Sequence, residues 1–194
     1  MAVSSPEQHS SSSMIKGLKS FGSLVLETLK VVLVSMAIIL PIRYFLVQPF
    51  YVEGASMEPT FSSNEYLLVD ELSYRFEAPQ RGEVVVFRYP RDPRQFFIKR
   101  VMGLPGETIA IKKGEVYVND KPVRENYLDD FRIGDTTMDP ITLGADQYWL
   151  MGDNRANSLD SRIFGAVDKK FIVGKVWFRG WPAEKFSFFQ VPQY

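Results

Sequence analysis

The chain has 194 residues, 45% apolar and 24% charged, with 23 basic and 23 acidic side chains in balance. This composition excludes a fibrous repeat or a chain disordered throughout, and the zero net charge speaks against a protein built to neutralise nucleic-acid phosphates. Cysteine is absent and the single histidine, His9, sits in a serine run too polar to pack, so thiolate chemistry, histidine metal centres and a Ser-His-Asp triad are excluded and any hydrolytic base is another residue.

Residues 1–13 read as an unstructured tail, and residues 14–30 are amphipathic and basic through Lys16, Lys19 and Lys30. An apolar stretch follows over 31–42. Continued to Phe50 it is about twenty residues, long enough to span a bilayer as a helix, with Arg43 its only charge. Arg43 is able to snorkel, and Tyr44, Phe50 and Tyr51 suit an interface. A buried helix and a cleaved secretory signal are the competing readings. No small-x-small cleavage pattern follows Leu40, which favours an uncleaved anchor. Residues 44–74 carry no Lys or Arg, so the positive-inside rule sets the N-terminus in the cytoplasm. The expected organisation is a basic, disordered cytoplasmic tail at 1–28, a transmembrane signal anchor at 29–50 and a β-rich extracytoplasmic domain at 51–194.

From residue 52 the chain reads as short strands and turns. Residues 66–69 and 84–87 are apolar or β-branched runs between turn residues. Residues 97–104 form a further strand closed by Pro105-Gly106. Residues 108–111 and 115–118 flank Lys112-Lys113-Gly114 as a hairpin, and Asn119-Asp120 turns the chain into Lys121-Pro122-Val123. Residues 124–146 are charged and turn-rich, a surface excursion. Residues 148–151 and 171–178 complete the strands, and no long helix is expected after residue 50. The fold class is mainly β, one N-terminal helix followed by a β-rich domain with a β-ribbon excursion. The aromatic tail, with Trp177, Phe178, Trp181, Phe186, Phe188 and Phe189, is either a final core strand or a surface resting on lipid.

Three segments hold side chains with chemistry. Ser56 lies between small residues with Pro59 three positions on, in a turn; alone it is only a turn serine. Phe97, Lys99 and Val101 alternate onto one face of a strand. A lysine pointing with Phe and Val is either at an edge, reaching outward, or held in a dry site. In the second case desolvation lowers its pKa and makes it a general base that needs no histidine. Residues 151–165 are dense in Asp, Asn, Ser and Arg, as in a loop held by side-chain hydrogen bonds and Asp–Arg pairs.

Together these segments resemble the bacterial type I signal peptidases (leader peptidases). The resemblance is carried by Gly-Ala-Ser-Met-Glu-Pro-Thr (54–60), Arg-Gly-Glu-Val-Val-Val-Phe-Arg-Tyr-Pro (81–90), Phe-Ile-Lys-Arg-Val-Met-Gly-Leu-Pro-Gly-Glu (97–107) and Gly-Asp-Asn-Arg-Ala-Asn-Ser-Leu-Asp-Ser-Arg (152–162), in the family's order after an anchor. It implies a membrane-bound serine endopeptidase that removes signal peptides from secretory preproteins after Ala-x-Ala-like sites. The implied compartment is the outer face of a plasma membrane or a thylakoid lumen. The implied partners are signal peptides and the lipid bilayer, with no nucleic acid and no metal or organic cofactor. Ser56 takes the nucleophile's place and Lys99 the general base's. Ser158 matches a serine that orients the lysine amine. Asp153 and Asp160 match acids paired with arginines, with Arg100 and Arg162 as partners. Phe50, Val52, Met57, Phe61 and Ile98 fall on walls of the substrate pocket. Gly54 stands where some members carry a serine that donates to the oxyanion hole, and Lys99 separates the chain from relatives with a histidine there. A non-catalytic, membrane-anchored binding or scaffold protein is the alternative; it explains span and fold but not Ser56 with Lys99.

Overall fold

The protein is described as a computed structural model covering the backbone of residues 8–45, 47–128 and 136–192, with side chains over 21–22, 24–40, 48–128 and 136–192. The chain divides into two compact units, Met1–Tyr44 and Phe45–Tyr194.

The first unit is essentially one helix, α1 (Gln8–Phe45). It starts inside the serine-rich segment expected to be unstructured; residues 1–7 of that tail lie outside the described residues. Leu24, Val25, Val31, Leu33, Ile38 and Leu40 are all exposed. They lie all around the helix rather than along one stripe, unlike a helix that packs on a soluble core. Among the described residues, no helix is long and apolar enough to cross a membrane. The helix also does not run on to Phe50 as the sequence suggested. Residues from Val47 pair as a strand, and Pro49, with no N–H and a fixed φ, cannot continue a helix.

The second unit is mainly β. An eight-stranded sheet contains β1 (Val47–Tyr51), β2 (Tyr66–Asp70), β3 (Val84–Tyr89) and β4 (Asp92–Gly103). A smaller sheet contains β5 (Thr108–Lys112), β6 (Glu115–Val118), β7 (Lys121–Pro122) and β8 (Met138–Thr142). The chain then returns to the large sheet through β9 (Gln147–Met151), the short helix α2 (Ser161–Phe164), β10 (Val167–Asp168), β11 (Ile172–Trp181) and β12 (Ser187–Phe188). The large sheet has the order β1-β2-β11-β3-β4-β9-β10, with β12 also on β11, and every pairing is antiparallel.

Local chemistry explains these elements. Strand β3 is Val-Val-Val-Phe-Arg-Tyr and its first four residues are all buried, a β-branched run covered on both faces. The small sheet is tied by two tight hairpins. Lys113 and Gly114 turn at φ 51° and 79°, and Asn119 and Asp120 at φ 49° and 63°, the left-handed pair that two-residue hairpins need. Pro49 and Pro140 are both tolerated because β1 and β8 are edge strands. Strand β8 corrects the reading of 124–146 as surface excursion alone: its register on β5 is Thr108↔Thr142 and Ile109↔Ile141. Pro140 and Asp139 hide a strand from a pattern-based reading, and residues 129–135 of the excursion lie outside the described residues. β11 runs three residues beyond the expected end, to Trp181, held by its pairing with β2.

Three clusters make the core. One, around Val52, Met57, Phe61, Leu67, Val69, Val84 and Val86, underlies the segment that carries Ser56. A second joins Trp149 and Met151 to the small sheet through Ile109, Ile111 and Val116. The third packs Val85, Phe87, Val101, Tyr148 and Leu150 on the opposite face of β3 and β4, with Phe97 against them.

Candidate active site

The serine segment is a loop between β1 and β2 closed at its base. Val52 N–H donates to the Glu65 carbonyl (2.9 Å), and Asn64 N–H to the Val52 carbonyl (3.0 Å). Within the loop Phe61 N–H donates to the Met57 carbonyl (2.8 Å), one helical turn. That turn drives the Met57 and Phe61 side chains into the core, each 1% exposed. Ser56, one residue before the turn, is left half-buried at its rim.

Lys99 reaches it from β4, where Val85↔Lys99 is the register with β3. Lys99 Nζ lies 2.8 Å from Ser56 Oγ and donates to the Ile98 carbonyl at 2.7 Å. Lys99 is 4% exposed. Burial lowers its pKa to about 8, and Arg162 adds to the lowering, against the opposing pull of Asp160 and Asp153. The dry reading of this lysine therefore holds over the edge reading, and Phe97 lies on its face with the Nζ 5.6 Å from the ring centre.

The next residue points the other way. Arg100 Nε and Nη2 hold both oxygens of Asp153 at 2.8 and 2.6 Å, and Nη1 donates to the Gly82 carbonyl (2.8 Å). Arg100 is 1% and Asp153 0% exposed, a bidentate buried pair. Thr60 Oγ1 donates to Asp153 at 2.5 Å and accepts from Arg100 Nη2 at 3.2 Å. The end of the serine loop is thereby fastened to the lysine's own strand.

Asp160 caps α2, accepting from Arg162 N–H (3.2 Å) and Gly152 N–H (3.0 Å) and pairing with the Arg162 guanidinium at 2.7 Å. Burial pushes its pKa up, but Arg162 and the Gly152 N–H outweigh it and hold the carboxyl below its ordinary range. Ser158 Oγ is buried beside Asp160, whose carboxyl it helps to keep charged, and makes no hydrogen bond to Lys99. The structure thus brings Ser56, Lys99, Asp153, Arg100, Asp160 and Arg162 together. It does not join Ser158 to the lysine amine.

A cleft of about 520 Å³ opens beside Ser56 and Lys99. Phe50, Val52 and Ile98 line it as expected, whereas Met57 and Phe61 do not; the loop's own turn buries them beneath it. Val86, Leu67, Phe96, Phe97 and Leu159 complete the walls. Phe50 and Phe96 meet across it with ring centres 5.4 Å apart, so the sheet curls until β1 approaches β4. Both strands offer free edges there. β1 ends the sheet, and residues 96–99 of β4 pair with β3 alone because β9 joins only from Arg100.

Comparison with known proteins decides the family. The family model described as "Signal peptidase, peptidase S26" matches residues 25–181. A signal peptidase I of Leptolyngbya laminosa is 36% identical over 171 residues, covering 83% of this chain and 82% of its own. A signal peptidase I of Bacillus caldolyticus is 38% identical over 167 residues, covering 80% and 91%. The chain belongs to the signal peptidase family, peptidase S26. A crystal structure of a signal peptidase I from Enterococcus faecalis aligns at 31% identity and TM-score 0.46, covering 52% of this chain and 97% of that one.

As a member of the signal peptidase family the chain is a peptide-bond hydrolase. Three residues of its site escaped the sequence reading. Gly152 is one: a Cβ there would lie 2.2 Å from Ser158 Oγ and 2.5 Å from the Ser56 carbonyl oxygen. Glu125 and Arg155 are the others, a buried ion pair that ties the segment before β8 to the loop after β9. Only the density of Asp, Asn and Arg at 152–162 hinted at such packing, and a glycine needed for close approach has no signature in one sequence.

Proposed function

We propose that this member of the signal peptidase family is a membrane-anchored Ser-Lys endopeptidase that removes signal peptides after Ala-x-Ala-like sites, with the domain from residue 51 outside the cytoplasm. The single observation behind this reading is the 2.8 Å separation of Lys99 Nζ and Ser56 Oγ in a site where burial lowers the lysine pKa to about 8.

In this mechanism neutral Lys99 gives one N–H to the Ile98 carbonyl and keeps its lone pair for the Ser56 proton. Ser56 Oγ attacks the carbonyl after the second small residue, and the Ser56 N–H stabilises the oxyanion. Protonated Lys99 passes its proton to the leaving amine, the acyl group stays on Ser56, and Lys99 then activates the water that hydrolyses it. Asp153, Arg100, Asp160 and Arg162 act by position: their pairs fix β4 and the 152–162 loop around the two reacting atoms. The free edges of β1 and β4 suit an extended peptide added as a strand. Its alternate side chains then enter the apolar cleft, which accepts small residues at two positions.

The anchor rests on α1, whose apolar side chains are exposed over residues 24–40, with Lys16, Lys19 and Lys30 on the cytoplasmic side of its apolar stretch. The exposed aromatics Trp177, Trp181, Phe186 and Phe188 suit a surface at headgroup depth.

The test is a full-length precursor with an Ala-x-Ala site, incubated with the detergent-solubilised full chain. Wild type cleaves it, and Ser56→Ala and Lys99→Ala do not. Full activity in either variant removes the dyad. No cleavage by wild type leaves the scaffold reading.

A further inference from the structure

The cleft has one exposed charge. Of its lining residues only Glu53 and Lys99 are a carboxylic acid or an amine, and Lys99 is buried while Glu53 is exposed. Among the described residues Glu53 has no ion pair or side-chain hydrogen bond, unlike Glu65 nearby, which is held by Arg179 and Lys185. A carboxylate without an ion pair at the rim of a mainly apolar cleft is a feature the family reading does not use.

Its direction follows from the backbone. Both hydrogen-bonding groups of Val52 turn toward the β2 side, to Glu65 and Asn64. In an extended chain the next residue's groups turn to the opposite side, so Glu53 presents its N–H and C=O to the free edge beside the cleft. Side chains alternate as well. Phe50 and Val52 pack toward the core and the depth of the cleft, and Tyr51 and Glu53 are exposed along its rim.

A substrate strand laid along that edge has the same alternation. If its two small residues enter the cleft, the residue between them projects outward, toward the exposed rim that carries Tyr51 and Glu53. We propose that Glu53 reads the charge of this middle residue, favouring Lys or Arg and disfavouring Asp or Glu. The inference rests on the Ala-x-Ala reading above and adds a selectivity to it. The pair is solvent-exposed, so its expected size is that of a surface ion pair, roughly two- to fivefold in kcat/KM for each change of charge at the middle position. It weakens in salt, since the Debye length falls from about 10 Å at 0.1 M to about 3 Å at 1 M.

The experiment uses the full chain in neutral detergent and three precursors identical except for Lys, Gln or Glu at the middle position. The readout is the ratio of kcat/KM for the Lys precursor to that for the Glu precursor. The expected ratio is roughly four- to twenty-five-fold in wild type at low salt, near one in Glu53→Gln, below one in Glu53→Lys, and reduced in wild type at 1 M salt. Using a ratio removes any general effect of the substitution on folding or catalysis. Cleavage of all three precursors at equal rates, or a ratio unchanged in Glu53→Gln, overturns the inference and leaves the peptidase reading standing. Cleavage of none of them by wild type overturns both.

Discussion

Under the proposed Ser-Lys reading Lys99 gives the sharpest prediction, because one burial then governs both the rate and the stability. An ordinary lysine with a pKa of 10.5 is neutral in about one molecule in three thousand at pH 7, and one lowered to about 8 in about one in ten. The site therefore supplies about 300-fold more of the basic form at pH 7. Below about pH 8, kcat/KM should rise about tenfold per pH unit, so that the rate at pH 6 is about a hundredth of the plateau. The assay is cleavage of a soluble precursor between pH 5.5 and 9.5, at constant ionic strength. The same burial costs stability. At about 1.36 kcal/mol for each pH unit between 10.5 and about 8, holding Lys99 charged in the folded chain costs about 3 kcal/mol. The sign is that of a lowered folded-state pKa on a base. The unfolded chain binds the extra proton between about pH 8 and 10.5, so stability rises with pH across that window and the full cost is present below it. Lys99→Met keeps the volume and removes the charge. It should be inactive yet more stable than wild type by up to about 3 kcal/mol at pH 7 by urea denaturation, less whatever the Ser56 and Ile98 hydrogen bonds contribute, with the gain vanishing above pH 11. A rate that is flat to pH 5.5, together with a Lys99→Met chain less stable than wild type at pH 7, refutes the reasoning.

Other consequences follow from the surrounding network. Asp153→Ala leaves the Arg100 guanidinium buried without its carboxylate, and should destabilise the fold by about 3–5 kcal/mol in chemical denaturation. Gly152→Ala puts a methyl against the backbone of Ser56, 2.5 Å from its carbonyl oxygen. Cleavage should fall by at least about tenfold, because displacing a reacting group by a fraction of an ångström is costly. Val86→Ala, at the buried floor of the cleft, should admit a residue one or two methylenes larger at a small-residue position. The change in preference should be about tenfold or more in competition between precursors.

The parts of this molecule that were legible in the sequence are those whose signal is local. The run Val84-Val85-Val86-Phe87, the Lys113-Gly114 and Asn119-Asp120 turns and the alternation of Phe97, Lys99 and Val101 each carry their own pattern, and each stands in the fold as read. The pairs Arg100–Asp153 and Arg162–Asp160 were anticipated only through the family resemblance. What was not legible depends on contacts between distant segments. The family resemblance puts Met57 and Phe61 on the pocket walls, yet a single hydrogen-bonded turn sends them inward. Strand β8 is obscured by Pro140, acceptable only because that strand is an edge. The end of α1 has no local mark, because an apolar run does not say whether it continues as helix or strand until Pro49 and the pairing with β2 are weighed.

Lys99 and Arg100 are neighbours on β4 with opposite duties, one facing the serine and the other clasping Asp153. A slip of the β3–β4 ladder by a single residue would turn each to the other face and put either the permanently charged Arg100 guanidinium or Ile98 in the place from which Lys99 meets Ser56. The chemistry thus hangs on ladder alignment as much as on residue identity. Deleting one amino acid anywhere in 96–101 should be lethal to activity even where every named side chain survives, whereas length changes near the Asn119-Asp120 bend should be absorbed.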